Sequence, residues 1–135
     1  MQFNIDCAID IMNFIIDTQT LNNGVLTTFT VEDLCKNENL SKYSNDLIFC
    51  ALLKLYEGNY INAVIKSIQN KNRIEIIKGL TIRGHEFCEH LKDTYVFQKV
   101  KEGITQNGKN SLAYAEIVIH DCLIKASIEN LQNQQ

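Results

Sequence analysis

The chain has 135 residues and a formal net charge of −3, with 45% hydrophobic residues and neither proline nor tryptophan. This apolar content is typical of a folded globular protein and argues against disorder. No run reaches the ~18 uncharged apolar residues that a membrane-spanning helix needs. We expect one domain over residues 1–131, followed by a disordered tail, 132–135.

The cysteines and the first residues indicate the compartment. The cysteines are odd in number, form no C-x-x-C pair, and each lies in or beside an apolar run. Cysteine in such settings behaves as a small buried hydrophobic residue, and a disulfide framework would have an even count and tighter spacing. No basic leader precedes an apolar run at the N-terminus, so we expect no secretory signal. These features predict a reducing, cytoplasmic environment. The cysteines are Cys7, Cys35, Cys50, Cys88 and Cys122.

The first part of the chain predicts two helices. Over Ile5–Asp17, polar residues recur at helical spacing and form an acidic stripe, while the remaining positions are apolar. Leu21–Gly24 is a turn signal, and a short extended run, Val25–Phe29, follows it. Thr30 and Asp33 have the spacing of a capping box, which marks the start of a short second helix. The acidic stripe consists of Asp6, Asp10 and Asp17, with Asn13 between them.

A third helix is predicted from the Ser44 cap to about Glu57, and we expect Gly58 to end it in the left-handed conformation. This helix has little hydrophilic face, and such a helix is either buried or faces a partner. Two placements therefore remain for Phe49 and Leu53. They pack beneath the last two helices, or they lie outside the core and form a protein-binding surface.

The next segment predicts a β-hairpin. Tyr60–Ile68 is rich in β-branched residues, Gln69–Asn72 is a polar turn, and Arg73–Lys78 is the return strand. Over residues 60–84, five basic residues stand against one acidic residue in an otherwise acidic protein. Such asymmetry favours contact with a polyanion, and the alternative is a solvated hairpin whose lysines discourage edge pairing. The basic residues are Lys66, Lys71, Arg73, Lys78 and Arg83.

Three further helices are predicted after the hairpin. The first spans about Ile82–Leu91 behind a Thr81 cap, and the second spans about Thr94–Ile104 and is broken by Gly103, Asn107 and Gly108. The last runs over about Ser111–Asn130 and carries two apolar stripes. One stripe suffices for packing within the domain, so the other predicts a symmetric homodimer through this C-terminal helix.

The order of three helices followed by a hairpin is that of a winged helix, a variant of the helix-turn-helix. We therefore predict an α+β, mainly helical protein with a winged helix-turn-helix and extra C-terminal helices. In this fold the third helix is the nominal reader of DNA and the hairpin is the wing.

Three segments of the sequence resemble a known family. Gly58–Ile61, Gly79–Phe87 and Asp93–Lys101 are similar to a family of bacterial and phage proteins catalogued as domain of unknown function 2513. Its members carry a leucine-rich helix, then a glycine and an isoleucine before a wing, and a Leu-Thr-x-x-Gly-His-Glu/Asp-Phe motif after it. In this chain the motif is Leu80-Thr81-Ile82-Arg83-Gly84-His85-Glu86-Phe87.

The resemblance covers about Leu47–Lys101 and extends more loosely to the final helix. Cys88 stands where the family often has leucine, and Arg83 stands where an acidic residue is common. The resemblance implies a winged-helix-like fold and a phage or prophage context, with a cytoplasmic location in a bacterial host. It implies no activity, because none is assigned to the family.

The histidines do not have the spacing of a metal site. A metalloprotease helix needs two histidines four residues apart, whereas His85 and His90 are five apart and Glu89 holds the required position. No glycine-rich phosphate loop is present, and no cysteine–histidine pair is singled out as nucleophile and base. We therefore predict no enzyme, no metal and no cofactor.

Two functions remain as hypotheses. The first is a phage-type regulator that binds nucleic acid, with phosphates held by Lys66, Lys71, Arg73, Lys78 and Arg83. The second is a protein-binding module, such as a phage-encoded, anti-CRISPR-like inhibitor of a host defence complex. Its contacts would be either apolar residues of the third or last helix or the acidic stripe. The acidic stripe could occupy a basic channel on a host enzyme. The residues for this second function are Phe49, Leu53, Asp6, Asp10 and Asp17.

Overall fold

A computed structural model describes residues 3–108 and 110–133. The protein is α+β and mainly helical, as predicted, with two antiparallel hairpins in the described part. The elements in chain order are α1 (Ile5–Thr18), β1 (Leu21–Asn22), β2 (Val25–Leu26), α2 (Val31–Cys35), a 3₁₀ turn (Glu38–Leu40), α3 (Asn45–Glu57), β3 (Ile61–Ile68), β4 (Lys71–Leu80), α4 (Ile82–Leu91), α5 (Thr94–Asn107) and α6 (Leu112–Asn133).

The contacts divide the chain into two compact units, Met1–Cys88 and Glu89–Gln135, which we call the N-terminal and C-terminal units. No helix within residues 3–108 and 110–133 combines the length and the apolar character that crossing a membrane requires. Helix α6 continues to Asn133, beyond the predicted boundary at 131, and the last two residues of the predicted tail lie outside the described residues.

Helices α1 and α3 pack on each other and form the centre of the N-terminal unit. Asn4 caps α1 by accepting a hydrogen bond from the Cys7 amide at 3.1 Å. The apolar positions of both helices recur at helical spacing, so each presents a continuous buried stripe, worth about 1.5–3 kcal/mol for each large aliphatic side chain. The buried residues are Ile5, Cys7, Ala8, Ile9, Ile11, Met12 and Ile15 of α1 and Ile48, Ala51, Leu52 and Leu55 of α3.

The caps of α2 and α3 follow the local sequence. Asp33 and Thr30 exchange side-chain-to-amide hydrogen bonds of 2.8 and 3.2 Å, which confirms the predicted capping box. Ser44 caps α3 by accepting from the Leu47 amide at 3.2 Å. Gly58 caps the C-terminus of α3 as predicted, but the predicted left-handed conformation was wrong. Gly58 is right-handed with φ −80°, and Asn59 takes the left-handed conformation at φ 64°. Asparagine tolerates this conformation better than most residues, so the chain reverses one residue later than expected.

The hairpin of β3 and β4 is longer than the sequence pattern predicts. Only Gln69 and Asn70 form the turn, and both have positive φ, 51° and 64°. Two consecutive left-handed residues are typical of the type I′ turn, whose twist matches that of the flanking strands. Lys71 and Asn72, predicted as turn residues, therefore belong to β4. This strand also continues past the predicted end at Lys78.

Strand β4 has two register shifts, and the first places Ile74 and Ile77 on the core side. The pairing places one extra residue in β4 at Glu75 and another at Lys78. Ile74 and Ile77 are three residues apart, and regular alternation would turn them to opposite faces. Because Glu75 is the extra residue of a bulge, both isoleucines return to the same face, and both are buried.

Phe29 adds a third strand position beside β4. It exchanges backbone hydrogen bonds of 3.0 and 2.7 Å with Ile77.

Gln19 ties the end of α1 to the second bulge. Its side-chain amide donates to the carbonyl oxygens of Thr27 at 2.8 Å and Lys78 at 2.7 Å. A bulge disrupts the regular ladder of backbone hydrogen bonds, and this side chain supplies a donor for the Lys78 carbonyl. Gly79, with φ 147°, lies against the same amide, and a Cβ there would come within 3.1 Å of the Gln19 nitrogen.

In the C-terminal unit, α5 packs against α6. Asp93 caps α5 through its carboxylate, which accepts from the amides of Tyr95 at 2.9 Å and Val96 at 3.2 Å. Helix α5 ends at Asn107 with Gly108 as its left-handed cap, so the break predicted there is confirmed. The break predicted at Gly103 was wrong, because Gly103 is buried within the helix. A Cβ at Gly103 would lie 2.2 Å from the Tyr114 hydroxyl. The glycine therefore makes room for a tyrosine instead of ending the helix.

Candidate nucleic-acid interface

The hairpin brings three of the predicted phosphate-binding residues onto one face. Lys66 of β3 is directly opposite Arg73 of β4, and Ile68 is opposite Lys71. Opposed residues of an antiparallel pair point to the same side, and so do residues two apart in one strand. Lys66, Lys71 and Arg73 therefore share a face at the tip of the hairpin. All three side chains are exposed.

The cations of this face form no ion pair within the described part of the chain. The ion pairs found there use Lys42, Lys54, Lys92, Lys99 and Lys125, and none uses Lys66, Lys71, Arg73 or Lys78. Like charges directly opposite each other in a ladder destabilise it. The Lys66–Arg73 pair is therefore unfavourable within the ladder itself, and two charges of opposite sign, Glu32 and Glu75, line the same hollow as these cations.

Lys78 and Arg83 lie apart from this face. Lys78 is exposed at the second bulge, where its carbonyl accepts from Gln19. Arg83 belongs to α4, and its guanidinium donates to the Gly58 carbonyl at 3.0 Å. The same guanidinium lies 4.6 Å from the centre of the Tyr60 ring, within the range of a cation–π contact. Arg83 therefore holds the end of α3 against the start of α4.

The Thr81–Phe87 motif forms a structural joint. The Thr81 hydroxyl donates to the Asn59 carbonyl at 2.7 Å and accepts from the Gly84 amide at 3.1 Å. Gly84 lies so close to the backbone of Tyr60 that a Cβ would come within 2.2 Å of the Tyr60 carbonyl oxygen. The rings of Tyr60 and Phe87 meet edge to face at 5.4 Å. Threonine, glycine and phenylalanine at these spacings thus join the turn after α3 to α4.

Helix α3 borders an apolar groove beside the basic face. Phe49 is 43% exposed, and Leu53 is partly exposed. The sequence left open whether Phe49 is packed in the core or lies outside it, and in the structure its side chain lies outside the core. The groove has a volume of about 390 Å³ and brings together residues from both predicted sites, with Phe49 and Leu53 on one side and Arg73 on the other. Its lining also includes Val31, Leu52, Asn72 and Ile74.

The acidic stripe on α1 is partly occupied by internal contacts. Asp10 accepts a hydrogen bond from the Tyr43 hydroxyl at 2.6 Å and pairs with Lys42 at 3.3 Å. Burial, followed by the hydrogen bond to Asp10, raises the pKa of Tyr43. Asp17 is exposed, and Asp6 is partly exposed. The three carboxylates therefore do not form a uniform free surface.

Two of the five cysteine thiols are held in an unreactive form by burial. No group of three or more His, Cys, Asp or Glu side chains within the described residues could hold a metal ion. Burial is the main cause that raises the pKa of Cys7 to about 12, and burial also raises the pKa of Cys35. Because the thiolate is the reactive form of cysteine, these shifts keep both groups in the unreactive thiol form at neutral pH.

Helix α6 buries the first part of one stripe and exposes the other stripe. Leu112, Ala115 and Ile119 are buried, and no described residue after Ile119 is buried. The second predicted stripe is therefore available to a partner. Its exposed residues are Ile117, Ile124, Ile128 and Leu131, and Leu123 continues the first stripe in an exposed position.

The groove and the bulges are the features that the sequence pattern missed. The lining of the groove combines Val31 of α2, Leu52 of α3 and Ile74 of β4, and nothing local in the sequence connects these three elements. The spacing of Ile74, Ile76 and Ile77 breaks the alternation of a regular strand, which is the one available signal for a bulge. No comparable signal marks Gln19 as a bridge.

A model of the family described as "Hypothetical protein (DUF2513)" matches residues 2–110 of the chain. No curated protein and no solved structure matches it. The family match spans the hairpin, the groove and α5, and it stops before α6.

Proposed function

This chain belongs to that family of hypothetical proteins, and we propose that it binds nucleic acid through the basic face of its β3–β4 hairpin, without catalysis. The single observation that carries the proposal is the face itself. Lys66, Lys71 and Arg73 share one side of the hairpin tip, and none of them has an ion-pair partner in the described residues. Cations of this kind bind phosphates and release counterions from the nucleic acid.

The arrangement of elements supports a winged-helix interpretation. Three helices precede the hairpin, and Phe29, between α1 and α2, pairs with Ile77 of β4. This adds a third, short strand position on the outer edge of β4, as expected for a hairpin that serves as a wing. In this interpretation α3 is the helix nearest the groove of the DNA, and the hairpin contacts the backbone beside it.

The side chains of α3 favour binding that tolerates many sequences. Base edges are recognised mainly by Arg, Lys, Asn and Gln, and α3 offers Asn45 and Lys54. Lys54 is paired with Glu57 at 3.4 Å, and Asp46 repels phosphates at the other end of the helix. Phosphate contacts from the hairpin therefore provide most of the affinity, and they fix position without specifying sequence.

The test is a titration of a fluorescein-labelled 20-base-pair duplex with the full chain, followed by fluorescence anisotropy in low-salt buffer. We compare the wild type with two variants that each lose three positive charges. One is Lys66→Gln/Lys71→Gln/Lys78→Gln in the hairpin, and the other is Lys92→Gln/Lys99→Gln/Lys125→Gln in the C-terminal unit. We expect the first to weaken binding by at least about tenfold and the second to change it little, because its lysines already have carboxylate partners.

Absence of wild-type binding at low salt with excess protein would refute the proposal. Equal losses in the two variants would also count against it, since binding would then follow net charge and not the hairpin. The regulator role and the phage or prophage setting remain part of the proposal. They rest on the family resemblance and not on any feature of the hairpin.

A further inference from the structure

We propose that the groove between α3 and β4 binds a protein segment in which an apolar side chain is directly flanked by a carboxylate. The groove places an apolar surface beside a guanidinium. Phe49 and Leu53 supply the apolar side, and Arg73 supplies the charge. The proposal goes beyond nucleic-acid binding and does not require it.

The apolar part of the groove has the size and composition of an anchor site. Its volume of about 390 Å³ lies within the range of small-ligand pockets. Leu52 and Ile74 are buried at its base, whereas Phe49 is 43% exposed at its edge. Leaving a phenylalanine this exposed beside a preformed hollow favours occupancy by another apolar group. Anchor side chains in such pockets dominate the energetics of protein interfaces.

The polar part of the groove selects the charge of the occupant. Arg73 is its one charged lining residue, and the guanidinium has no carboxylate partner in the described part of the chain. Guanidinium groups bind carboxylates through two parallel hydrogen bonds. A carboxylate next to the anchor in the partner would therefore meet Arg73. Arg73 also borders an adjoining hollow of about 310 Å³, whose other charged residues are Lys66, Glu32 and Glu75. This hollow has two charges of each sign, so it adds no preference.

A protein segment fits this groove better than a nucleobase does. A base has polar edges that need partners, and the lining offers Asn72 and Arg73 against five aliphatic or aromatic residues. An apolar side chain has no such requirement. The groove would therefore bind a side chain, while the hairpin tip, with Lys66 and Lys71 outside the groove lining, remains for phosphates.

The probes are three blocked hexapeptides, added to the ¹⁵N-labelled full chain and followed by amide chemical shifts. The first is Gly-Asp-Leu-Phe-Asp-Gly, the second replaces both Asp by Asn, and the third replaces Leu-Phe by Ser-Ser. We expect saturable shifts at Phe49, Leu53 and Arg73 with the first peptide, with a Kd of about 1 mM or lower. The other two peptides should bind at least about tenfold more weakly, because each lacks one half of the recognition.

Two variants separate the halves of the site, and both positions are on the surface. The Leu53→Ser variant should bind the first peptide about tenfold more weakly, and its affinity for the duplex should be unchanged. The Arg73→Gln variant should bind the Asp peptide and the Asn peptide with equal affinity. Lys71→Gln, which lies outside the groove, is the matched control and should retain the full preference.

Several results would overturn the inference. They are the absence of groove shifts with the first peptide, equal binding of the Asp and Asn peptides by the wild type, and a preference that survives Arg73→Gln. Groove shifts caused by oligo(dT) and not by the peptides would assign the groove to nucleic acid instead. Duplex binding is scored separately on the same variants, so loss of either activity leaves the other interpretable.

Discussion

Lys66 and Arg73 occupy directly opposed positions in the β3–β4 ladder, so two positive side chains stand on the same face of the hairpin. Like charges in this arrangement repel each other, whereas opposite charges stabilise a ladder by roughly 0.2–1 kcal/mol. A sequence selected for hairpin stability alone would place a carboxylate at one of these positions. The pair is therefore expected to serve a ligand at a cost to the fold.

This conflict makes Lys66→Glu an informative substitution. We expect it to raise the free energy of unfolding by up to about 1 kcal/mol, because a cross-strand ion pair replaces a repulsion. The same substitution should weaken duplex binding, because a phosphate contact is lost and a repulsive charge is gained. Urea unfolding and fluorescence anisotropy measure the two effects.

The control for that substitution is Lys78→Glu, which makes the same change of charge at the bulge without a facing cation. It should weaken duplex binding without stabilising the hairpin. Destabilisation of the protein by Lys66→Glu, or unchanged duplex binding by this variant, would contradict a role of the hairpin face in binding phosphates.

Gly84 is the position where we expect the addition of a single methyl group to lower the stability of the fold most. Gly→Ala within a helix normally stabilises by up to about 1 kcal/mol. Here the new Cβ would meet the Tyr60 carbonyl oxygen at 2.2 Å, and a backbone atom cannot rotate away. We expect Gly84→Ala to destabilise by about 1–3 kcal/mol in urea unfolding, as overpacked cores do.

Gly103→Ala is the natural comparison for Gly84→Ala. Its Cβ would approach the Tyr114 hydroxyl at the same distance, but this group is the end of a side chain that can move. The cost should therefore be smaller than at Gly84. Equal effects at the two positions would contradict the close backbone approach between α4 and Tyr60.

The buried Cys7 thiol predicts a loss of stability in alkali. Burial raises the pKa of Cys7 from its ordinary value of 9.0 to about 12. Below pH 9 the thiol is protonated in both the folded and the unfolded chain, so its contribution to stability is constant. Between pH 9 and 12 the unfolded chain loses the proton first, and stability falls by up to about 1.4 kcal/mol per pH unit.

Urea unfolding at pH 8 and pH 10 tests this linkage. The wild type should lose stability between the two values, and Cys7→Ala should lose less, although it is less stable at pH 8 because of the cavity. Other groups that titrate in alkali are present in both proteins and cancel in the comparison. An identical loss in both would show that the Cys7 thiol is accessible to solvent.

The exposed stripe of α6 carries the prediction of a homodimer. If this stripe pairs with its copy, light scattering should give twice the mass of one 15.4 kDa chain. Ile124→Lys/Ile128→Lys should then return the protein to the monomer, because charged residues are depleted at the core of interfaces. Lys125→Gln, on the same helix, is the control. A wild-type monomer at high concentration would contradict the prediction.

Local chemistry explains the parts of the fold that the sequence predicts well. The capping box at Thr30 and Asp33 and the Ser44 cap are formed by residues within three positions of each other, so their patterns are visible in the chain. The basic composition of the hairpin is visible for the same reason. The order of the helices and strands follows from these helix N-termini and from the periodicity of the apolar residues.

Features that depend on distant residues are not visible in the same way. Gly103 has the pattern of a helix break, but its role is set by Tyr114, and the Lys78 bulge is matched by Gln19, 59 residues earlier. The groove is another such case, because Phe49 and Arg73 meet only once the hairpin is folded beside α3. Each of these contacts is a tertiary one, which neither periodicity nor composition encodes.

The most direct measurement is the salt dependence of duplex binding by the full chain. If Lys66, Lys71 and Arg73 each contact a phosphate, log K plotted against log[NaCl] should fall with a slope of about −2 to −3. The Lys66→Gln/Lys71→Gln/Lys78→Gln variant should retain a slope of about −1, from Arg73. A wild-type slope near zero, or a slope that the hairpin substitutions leave unchanged, would contradict the account.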